Sequence, residues 1–257
     1  MIRAAWPAPD NVVALNTTRH APAGTVGASE GAYADFNLAQ HVHDKPLAVA
    51  ANRAALFHQL QPQGLRRIQW LNQTHGTAVY RSQADVQALP DADAAITTDI
   101  GQALAVLTAD CLPVLLCDRS GRQVAAVHAG WRGLCSGVVA NAVAAFDRPA
   151  QQLMAWLGPA ISPKHFEVGE EVLQAFECEF SGPDTAAIRA AFVPVDGYSG
   201  KYLADLYQLA RLQLKSLGVD AIYGGEYCTV ADEDLFYSYR RQPQCGRQAS
   251  IILLRDN

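Results

Sequence analysis

The sequence lacks the features that mark secreted, membrane-spanning or redox-scaffold proteins. Its six cysteines among 257 residues are too sparse for a disulfide framework, and no two stand in CxxC spacing. The longest apolar runs, such as Ala103 to Leu107, are far too short to cross a membrane, and prolines interrupt the N-terminus before a signal-peptide core forms. These absences predict a reduced, cytoplasmic protein that makes no use of a membrane.

Positive charge is also scarce. Twenty Lys and Arg residues stand against 25 Asp and Glu, which gives a formal net charge of -5. The chain therefore lacks the basic footprint that nucleic acid requires. It also lacks GxGxxG, Walker A and GxSxG motifs and the zinc signature of cytidine deaminases, so dinucleotide, P-loop, serine-hydrolase and cytidine-deaminase functions have no support. Small molecules are the expected partners.

What the sequence does contain is a core-forming pattern, with half of its residues hydrophobic. Residues 1–257 are expected to form one domain, because the Gly/Pro-rich loops at 21–31 and 181–184 are too short to be linkers. Short apolar runs and hairpin-length gaps such as 118–122 favour a mixed sheet over a pure βαβ array. Strands are predicted at 67–71, 77–80, 103–108, 114–117, 124–127 and 250–254, and helices at 134–146, 168–180 and 203–217.

Three segments share one arrangement, in which an apolar run is followed by a potential metal ligand and a turn former. The ligands are His75, Cys111 and His128. Two imidazoles and a thiolate suit zinc, and three protein ligands leave a fourth position open, as in catalytic sites. Residue type alone favours two hydrogen-bonded buried histidines and a core thiol. The repeated strand-end context favours a metal site instead, although spacing by itself does not prove that the three residues converge.

The ordered motifs resemble those of the YfiH-type family, from about residue 11 to the C-terminus. This family was first described as laccase-like polyphenol oxidases and later as zinc-containing purine nucleoside phosphorylases. The resemblance rests on QTHG (73–76), TADCLP (108–113), HAGWRG (128–133), LGPAI (157–161), FEVG (166–169), DL (205–206), GEYCT (225–229), FYSYRR (236–241) and CGRQAS (245–250).

The resemblance implies a metal site at His75, Cys111 and His128 and a single-domain α+β fold with mixed β-sheets layered between helices. It also implies phosphorolysis of adenosine, inosine and 5'-methylthioadenosine, together with deamination of adenosine. The sequence departs from the family pattern early in the chain. Asp35 replaces serine, and Ala39 and His43 replace glycines, which affects the local loop and not the proposed metal ligands.

Other residues are candidates for supporting roles. Arg132 follows a strand and precedes a predicted helix, so it could join backbone N–H groups in a phosphate cradle or form a salt bridge at a tight turn. Arg240 is the second candidate for phosphate binding, because the family motif ends on it and arginine suits phosphate. Asp110 could support a ligand imidazole or accept a substrate proton, or it could cap a turn.

Two further groups have competing interpretations. Cys228 could line the same cleft or be a buried thiol, and the second is favoured. His41 and His43 form an HxH pair that could bind a metal, but two exposed histidines explain the pair equally well.

Three enzymatic hypotheses follow. The first is zinc-dependent purine nucleoside phosphorolysis with deamination, acting on a nucleoside and phosphate in a monomer or homodimer. The second is copper-dependent polyphenol oxidation, although seven histidines with one HxH pair are too few for four coppers. The third is a metal-free amidohydrolase that edits peptidoglycan precursors, with Cys111 as nucleophile and His128 as base. A non-enzymatic binding module would leave the three candidate ligands unexplained.

Overall fold

The structure, a computed structural model, describes residues 1–83, 89–180 and 182–256. Within these ranges the chain forms helices and strands in mixed order, which confirms the predicted α+β class. The helices are α1 (Pro46–Leu60), α2 (Trp131–Cys135), α3 (Val138–Ala144), α4 (Glu170–Glu179), α5 (Thr185–Arg189) and α6 (Leu206–Ser216). The strands are β1 (Ile2–Arg3), β2 (Val12–Asn16), β3 (Arg67–Gln69), β4 (Val79–Arg81), β5 (Ala94–Thr97), β6 (Gln102–Thr108), β7 (Leu112–Asp118), β8 (Val124–Ala129), β9 (Leu153–Leu157), β10 (Glu167–Gly169), β11 (Phe192–Pro194), β12 (Lys201–Ala204), β13 (Ala221–Gly224) and β14 (Gln248–Leu254).

Two large mixed sheets form the centre of the fold. One has the strand order β1-β2-β14-β6-β3, and the other has the order β13-β9-β7-β8-β5-β4. In each sheet most neighbours are antiparallel, while β3 with β6, β4 with β5 and β13 with β9 are parallel pairs. A small antiparallel sheet, β10-β12-β11, lies outside them. The mixed sheets predicted from the hairpin-length gaps are therefore confirmed.

The alternation of side chains along the strands stacks the two sheets face to face between helices. In β6, Leu104 and Val106 pack toward the six-stranded sheet, whereas Ala103 and Leu107 pack in the cluster that contains Leu56 of α1. The opposite face of the six-stranded sheet packs against α2, α3, α4 and α6. Because both faces of the central strands are buried, those strands read in the sequence as continuous apolar runs.

The helix boundaries differ from the predicted ones for identifiable reasons. The predicted helix at 134–146 is two helices, because Gly137 between them adopts the left-handed φ of 97°. The helix predicted from Val168 begins at Glu170, and the one predicted from Leu203 begins at Leu206, where Asp205 caps it by accepting from the Gln208 N–H. In both cases the first residues of the apolar stripe belong to strands of the small sheet.

Helix α1, which the apolar pattern did not predict, begins at Pro46, a residue that suits the first helical position. The predicted loop at 181–184 is irregular from residue 182 onward, and Ser181 lies outside the described residues. No helix in the described ranges combines the length and the apolar character needed to cross a membrane.

Candidate metal centre

Cys111 lies where the chain passes from one sheet to the other. Strand β6 of the five-stranded sheet ends at Thr108, and β7 of the six-stranded sheet begins at Leu112. The antiparallel register of β7 with β8 pairs Leu112 with Ala129 and Pro113 with His128. Cys111, one residue before β7, is therefore next to the end of β8 that carries His128.

His75 reaches the same place from a loop. The predicted strand at 67–71 ends earlier, at Gln69, so His75 lies in the loop that follows β3 and not at the strand end. Gln73 anchors this loop to β6, since its amide donates to the Leu107 carbonyl over 2.8 Å and accepts from the Leu107 N–H over 2.8 Å. The backbone of His75 adopts the left-handed φ of 60°, which turns the chain at this point.

Asp93, which the sequence reasoning missed, organises both histidines. Its fully buried carboxylate accepts from the backbone N–H of Thr74 (3.0 Å), His75 (2.9 Å) and Gly76 (2.7 Å). It also contacts Nδ1 of His128 over 2.7 Å. Because Nδ1 of His128 is used in this way, Nε2 is the nitrogen left to bind an ion. The sequence feature that could have pointed to Asp93 is an acidic residue directly before the apolar residues 94–96.

The three potential ligand atoms converge. The ligand atoms of His75, Cys111 and His128 all lie within 4.8 Å of one another, and Cys111 Sγ is 3.9 Å from His75 Nε2. Gly130 makes this approach possible, because a Cβ at that position would lie 3.1 Å from both Cys111 Sγ and His75 Cδ2. The donor set and its spacing fit a single metal ion held by two nitrogens and one sulfur.

The electrostatics of the three residues favour a thiolate. Burial would raise the pKa of Cys111, but the neighbouring His128 and His75 imidazoles lower it below its ordinary value. Burial would likewise lower the pKa of His128, while Cys111 and Asp93 raise it. Burial also works against ionisation of Asp93, but hydrogen bonds from His128, Gly76 and Thr74 lower its pKa to about 2. Without an ion the Cys111 thiolate is thus paired with a protonated His128, whose ring must lose a proton before Nε2 can bind a cation.

A cavity of about 510 Å³ opens onto the three ligands. This volume is within the range of small-molecule sites. The wall combines aromatic rings with three guanidinium groups, a composition suited to a flat heterocycle and an anion. The lining residues beyond the ligands include Trp131, Phe166 and Tyr239 among the aromatics and Arg132, Arg240 and Arg247 among the cations.

Asp110 lines this cavity, and its carboxylate is already hydrogen-bonded to two neighbouring residues. Its Oδ1 accepts from the Thr229 hydroxyl over 2.6 Å, and its Oδ2 accepts from the Arg240 backbone N–H over 2.6 Å. Asp110 itself adopts the left-handed φ of 90°. Within the part of the chain that the structure describes, the Asp110 carboxylate therefore bonds to Thr229 and to the Arg240 backbone and to no imidazole.

The two arginines predicted to bind phosphate differ in their surroundings. The Arg240 guanidinium donates to the carbonyls of His165 and Glu167, which fix the side chain. The Arg132 guanidinium stacks over the Trp131 ring, 4.3 Å from its centroid, and makes no ion pair within the described ranges. The helix beginning at Trp131 has five residues, so a helix terminus adds little to an anion site there.

The remaining candidates lie apart from one another. His41 lines the cavity, whereas His43 is exposed and adopts the left-handed φ of 67°, which explains why glycine suits that position. Neither residue belongs to a three-ligand metal cluster in the described part of the chain. Cys228 is half-buried and lines a different cavity.

Curated relatives match nearly the whole chain. A purine nucleoside phosphorylase of Pseudomonas aeruginosa is 45% identical over 251 residues, covering 98% of this chain and 97% of the relative. The purine nucleoside phosphorylase YfiH of Escherichia coli is 43% identical over 251 residues, covering 97% and 96%. These matches support an enzyme of that kind.

Solved structures agree with the fold. A Neisseria meningitidis protein superposes with a TM-score of 0.89 at 49% identity, covering 99% of both chains. The family model described as multi-copper polyphenol oxidoreductase laccase matches residues 14–255. The chain therefore belongs to this laccase-named family, the YfiH family of the resemblance.

Proposed function

We propose that this chain is a metal-dependent purine nucleoside phosphorylase that also deaminates adenosine. The observation that carries the proposal is the convergence of His75, Cys111 and His128 beside a cavity that is also lined by arginine side chains. The names of the relatives support phosphorolysis. Adenosine, inosine and 5'-methylthioadenosine are the proposed nucleosides, with phosphate as the second substrate.

Zinc is the proposed ion, because two imidazoles and one thiolate match its preferences. When bound, zinc would supply Lewis acidity and an activated water at neutral pH, the chemistry that deamination requires. The chain contributes the geometry. Asp93 holds His75 through its backbone and His128 through its ring, and Gly130 keeps the space between sulfur and imidazole clear.

The arginines are proposed to place the phosphate. Arg132 has a guanidinium held by Trp131 with its N–H groups directed to no ion-pair partner in the described ranges, so they are available to an anion. Arg240 is fixed by two backbone carbonyls and retains further N–H groups for the same purpose. A phosphate oxygen then bonds to the anomeric carbon as the glycosidic bond breaks, and the base leaves with the bonding electron pair and takes up a proton.

The aromatic residues of the cavity are proposed to bind the base. Phe166 is buried, whereas Tyr239 is 55% exposed at the cavity wall. Rings of this kind stack on the face of a purine without distinguishing adenine from hypoxanthine. This arrangement is consistent with activity on both adenosine and inosine.

The test is phosphate-dependent release of adenine from adenosine, with inosine formation measured in the same samples. Cys111→Ser should lower both reactions at least about a hundredfold, since the thiolate ligand is lost. Cys178→Ser, which changes an exposed cysteine on α4, is the matched control and should retain full activity. Full activity in metal-depleted protein would contradict the proposal.

Copper-dependent polyphenol oxidation is the second candidate, supported by the description of the matching family. The described residues provide one three-ligand cluster, and a multicopper oxidase needs several sites. Metal analysis of protein purified without added copper separates the two candidates, because zinc at one ion per chain with no phenol oxidation favours the phosphorylase. An amidohydrolase at Cys111 would instead survive chelators and be inactivated by iodoacetamide.

A further inference from the structure

A second pair of a cysteine and a histidine lies outside the candidate metal centre. Cys228 Sγ is 3.4 Å from Nδ1 of His165. The sulfur also accepts from two backbone N–H groups, those of Ser162 and Ala231, each over 3.4 Å. The sulfur is therefore held by three neighbours in one orientation.

Cys228 faces a cavity separate from the one at the metal centre. Cys228 and Ser162 line a space of about 380 Å³ that shares no lining residue with the cavity at the metal centre. The other described thiols contrast with it. Cys117, Cys135 and Cys245 are buried, and Cys178 is exposed on α4. Cys111 at the candidate metal centre is half-buried like Cys228, and it also has an imidazole neighbour and lines a cavity. Among the remaining described cysteines, Cys228 is the one that combines an imidazole partner with access to a cavity.

We propose that Cys228 is a reactive thiol that exchanges with low-molecular-weight disulfides, with His165 as its base. Nδ1 of His165 accepts the thiol proton, and Sγ attacks one sulfur of the disulfide. The bond from Cys228 to that sulfur forms as the original S–S bond breaks. The departing thiolate takes the proton from His165, so oxidation of Cys228 is balanced by reduction of half of the disulfide.

The charges around the cavity indicate which disulfides enter. Asp205 and Glu226 line it, and Asp232 accepts from the Cys228 N–H over 2.8 Å. The cation of the lining, Arg211, donates to the carbonyls of Ile222 and Gly224. Carboxylates exceed guanidinium groups here, so an uncharged or cationic aliphatic disulfide is favoured over an anionic one.

The experiment measures the rate at which each cysteine of the full-length protein forms a mixed disulfide, by mass spectrometry of its peptides. The probes are hydroxyethyl disulfide, cystamine and oxidised glutathione at neutral pH. Cys178 is the internal reference, because it is more exposed than Cys228. We expect Cys228 to react at least about tenfold faster than Cys178 with hydroxyethyl disulfide, the contribution expected of a positioned base. Cystamine should react faster still, and oxidised glutathione more slowly.

His165→Asn keeps a polar group at the site but removes the base. It should lower the Cys228 rate at least about tenfold and leave the Cys178 rate unchanged. His58→Asn, which changes an exposed histidine of α1, is the matched control and should change neither rate. The proposal is wrong if Cys228 reacts no faster than Cys178 in the unmodified protein, a comparison that does not depend on whether the variant folds. It is equally wrong if His165→Asn leaves the Cys228 rate unchanged.

Discussion

A buried aspartate lies near each end of strand β7, and each accepts hydrogen bonds from several backbone N–H groups, but the two differ in what else they contact. At its far end, Asp118 closes the β7–β8 hairpin by accepting from the backbone N–H groups of Ser120 (3.1 Å), Arg122 (2.7 Å) and Gln123 (2.7 Å). Near its beginning, the carboxylate of Asp93 gathers the N–H groups of residues 74–76 in a similar way. Both carboxylates are buried, and burial opposes ionisation in both, but the hydrogen bonds they accept lower both pKa values.

The difference lies in one additional contact. Asp118 accepts from hydrogen-bond donors within its own turn, so it serves the stability of the hairpin. Asp93 contacts the His128 imidazole as well, so the same carboxylate positions both a loop and a candidate metal ligand. A buried carboxylate that only accepts from backbone N–H groups, such as that of Asp118, stabilises the fold. The carboxylate of Asp93 also contacts a side chain that could bind the metal, so we expect it to affect function as well. Four predictions separate these roles.

The largest effect is expected from Asp93→Asn. The amide NH2 would face backbone N–H groups that now donate to a carboxylate, and the His128 ring would lose its anionic partner. Metal affinity should fall about 10- to 100-fold, and phosphorolysis should fall with it. Competition with a chelating indicator measures the affinity. Unchanged metal binding would show that the contact to His128 is not functional.

A smaller effect on activity is expected from Asp110→Asn, since asparagine tolerates the left-handed backbone of this position. The variant weakens the bonds to Thr229 and to the Arg240 backbone, so Arg240 loses its fixed place. The KM for phosphate should rise about fivefold to tenfold while metal content stays at the native level. Thr229→Val is the matched control for the hydroxyl alone. Loss of metal would show that Asp110 supports the ligands after all.

Asp118→Asn should affect stability and leave catalysis intact. The asparagine side chain cannot accept all the hydrogen bonds that backbone N–H groups of the hairpin donate to the Asp118 carboxylate. The free energy of unfolding should therefore fall by about 1–3 kcal/mol. Urea denaturation measures the cost, and kcat/KM per folded molecule should equal that of the unmodified chain. A fall in metal affinity would break the contrast between the two ends of β7.

The smallest expected effect is the pH dependence of the stability that Asp118→Asn loses. The pKa of Asp118 is lowered by bonds from Ser120, Gln123 and Arg122. Its stabilisation is therefore complete above the ordinary aspartate pKa of about 4 and is lost as the pH falls through the lower folded value. The difference in unfolding free energy between the unmodified chain and Asp118→Asn should narrow below about pH 4. A difference that stays constant with pH would contradict this.

Sequence patterns predicted the central strands, because apolar runs depend on local residue type. The three candidate ligands were identified by their residue types together with the family resemblance. Apolar runs such as 103–108 are continuous where both faces are buried, and the gap at 118–122 has hairpin length. The role of Asp93 was not predictable, since its partners lie 17 to 35 residues away and meet it only through sheet register. The break at Gly137 and the strand positions of Val168 and Leu203 were missed because a shared apolar face does not reveal a change of element.

Residues 109–111 connect the two large sheets, and the candidate metal ligands lie on this connection and on both sides of it. His75 follows a strand of one sheet, His128 is the second-last residue of a strand of the other, and Cys111 lies on the connection between the sheets. An ion held by all three residues would cross-link the five-stranded and six-stranded sheets. Separating the sheets would then require breaking coordination bonds. Ion loading should therefore raise the melting temperature of the whole protein, in proportion to how tightly the ion is held.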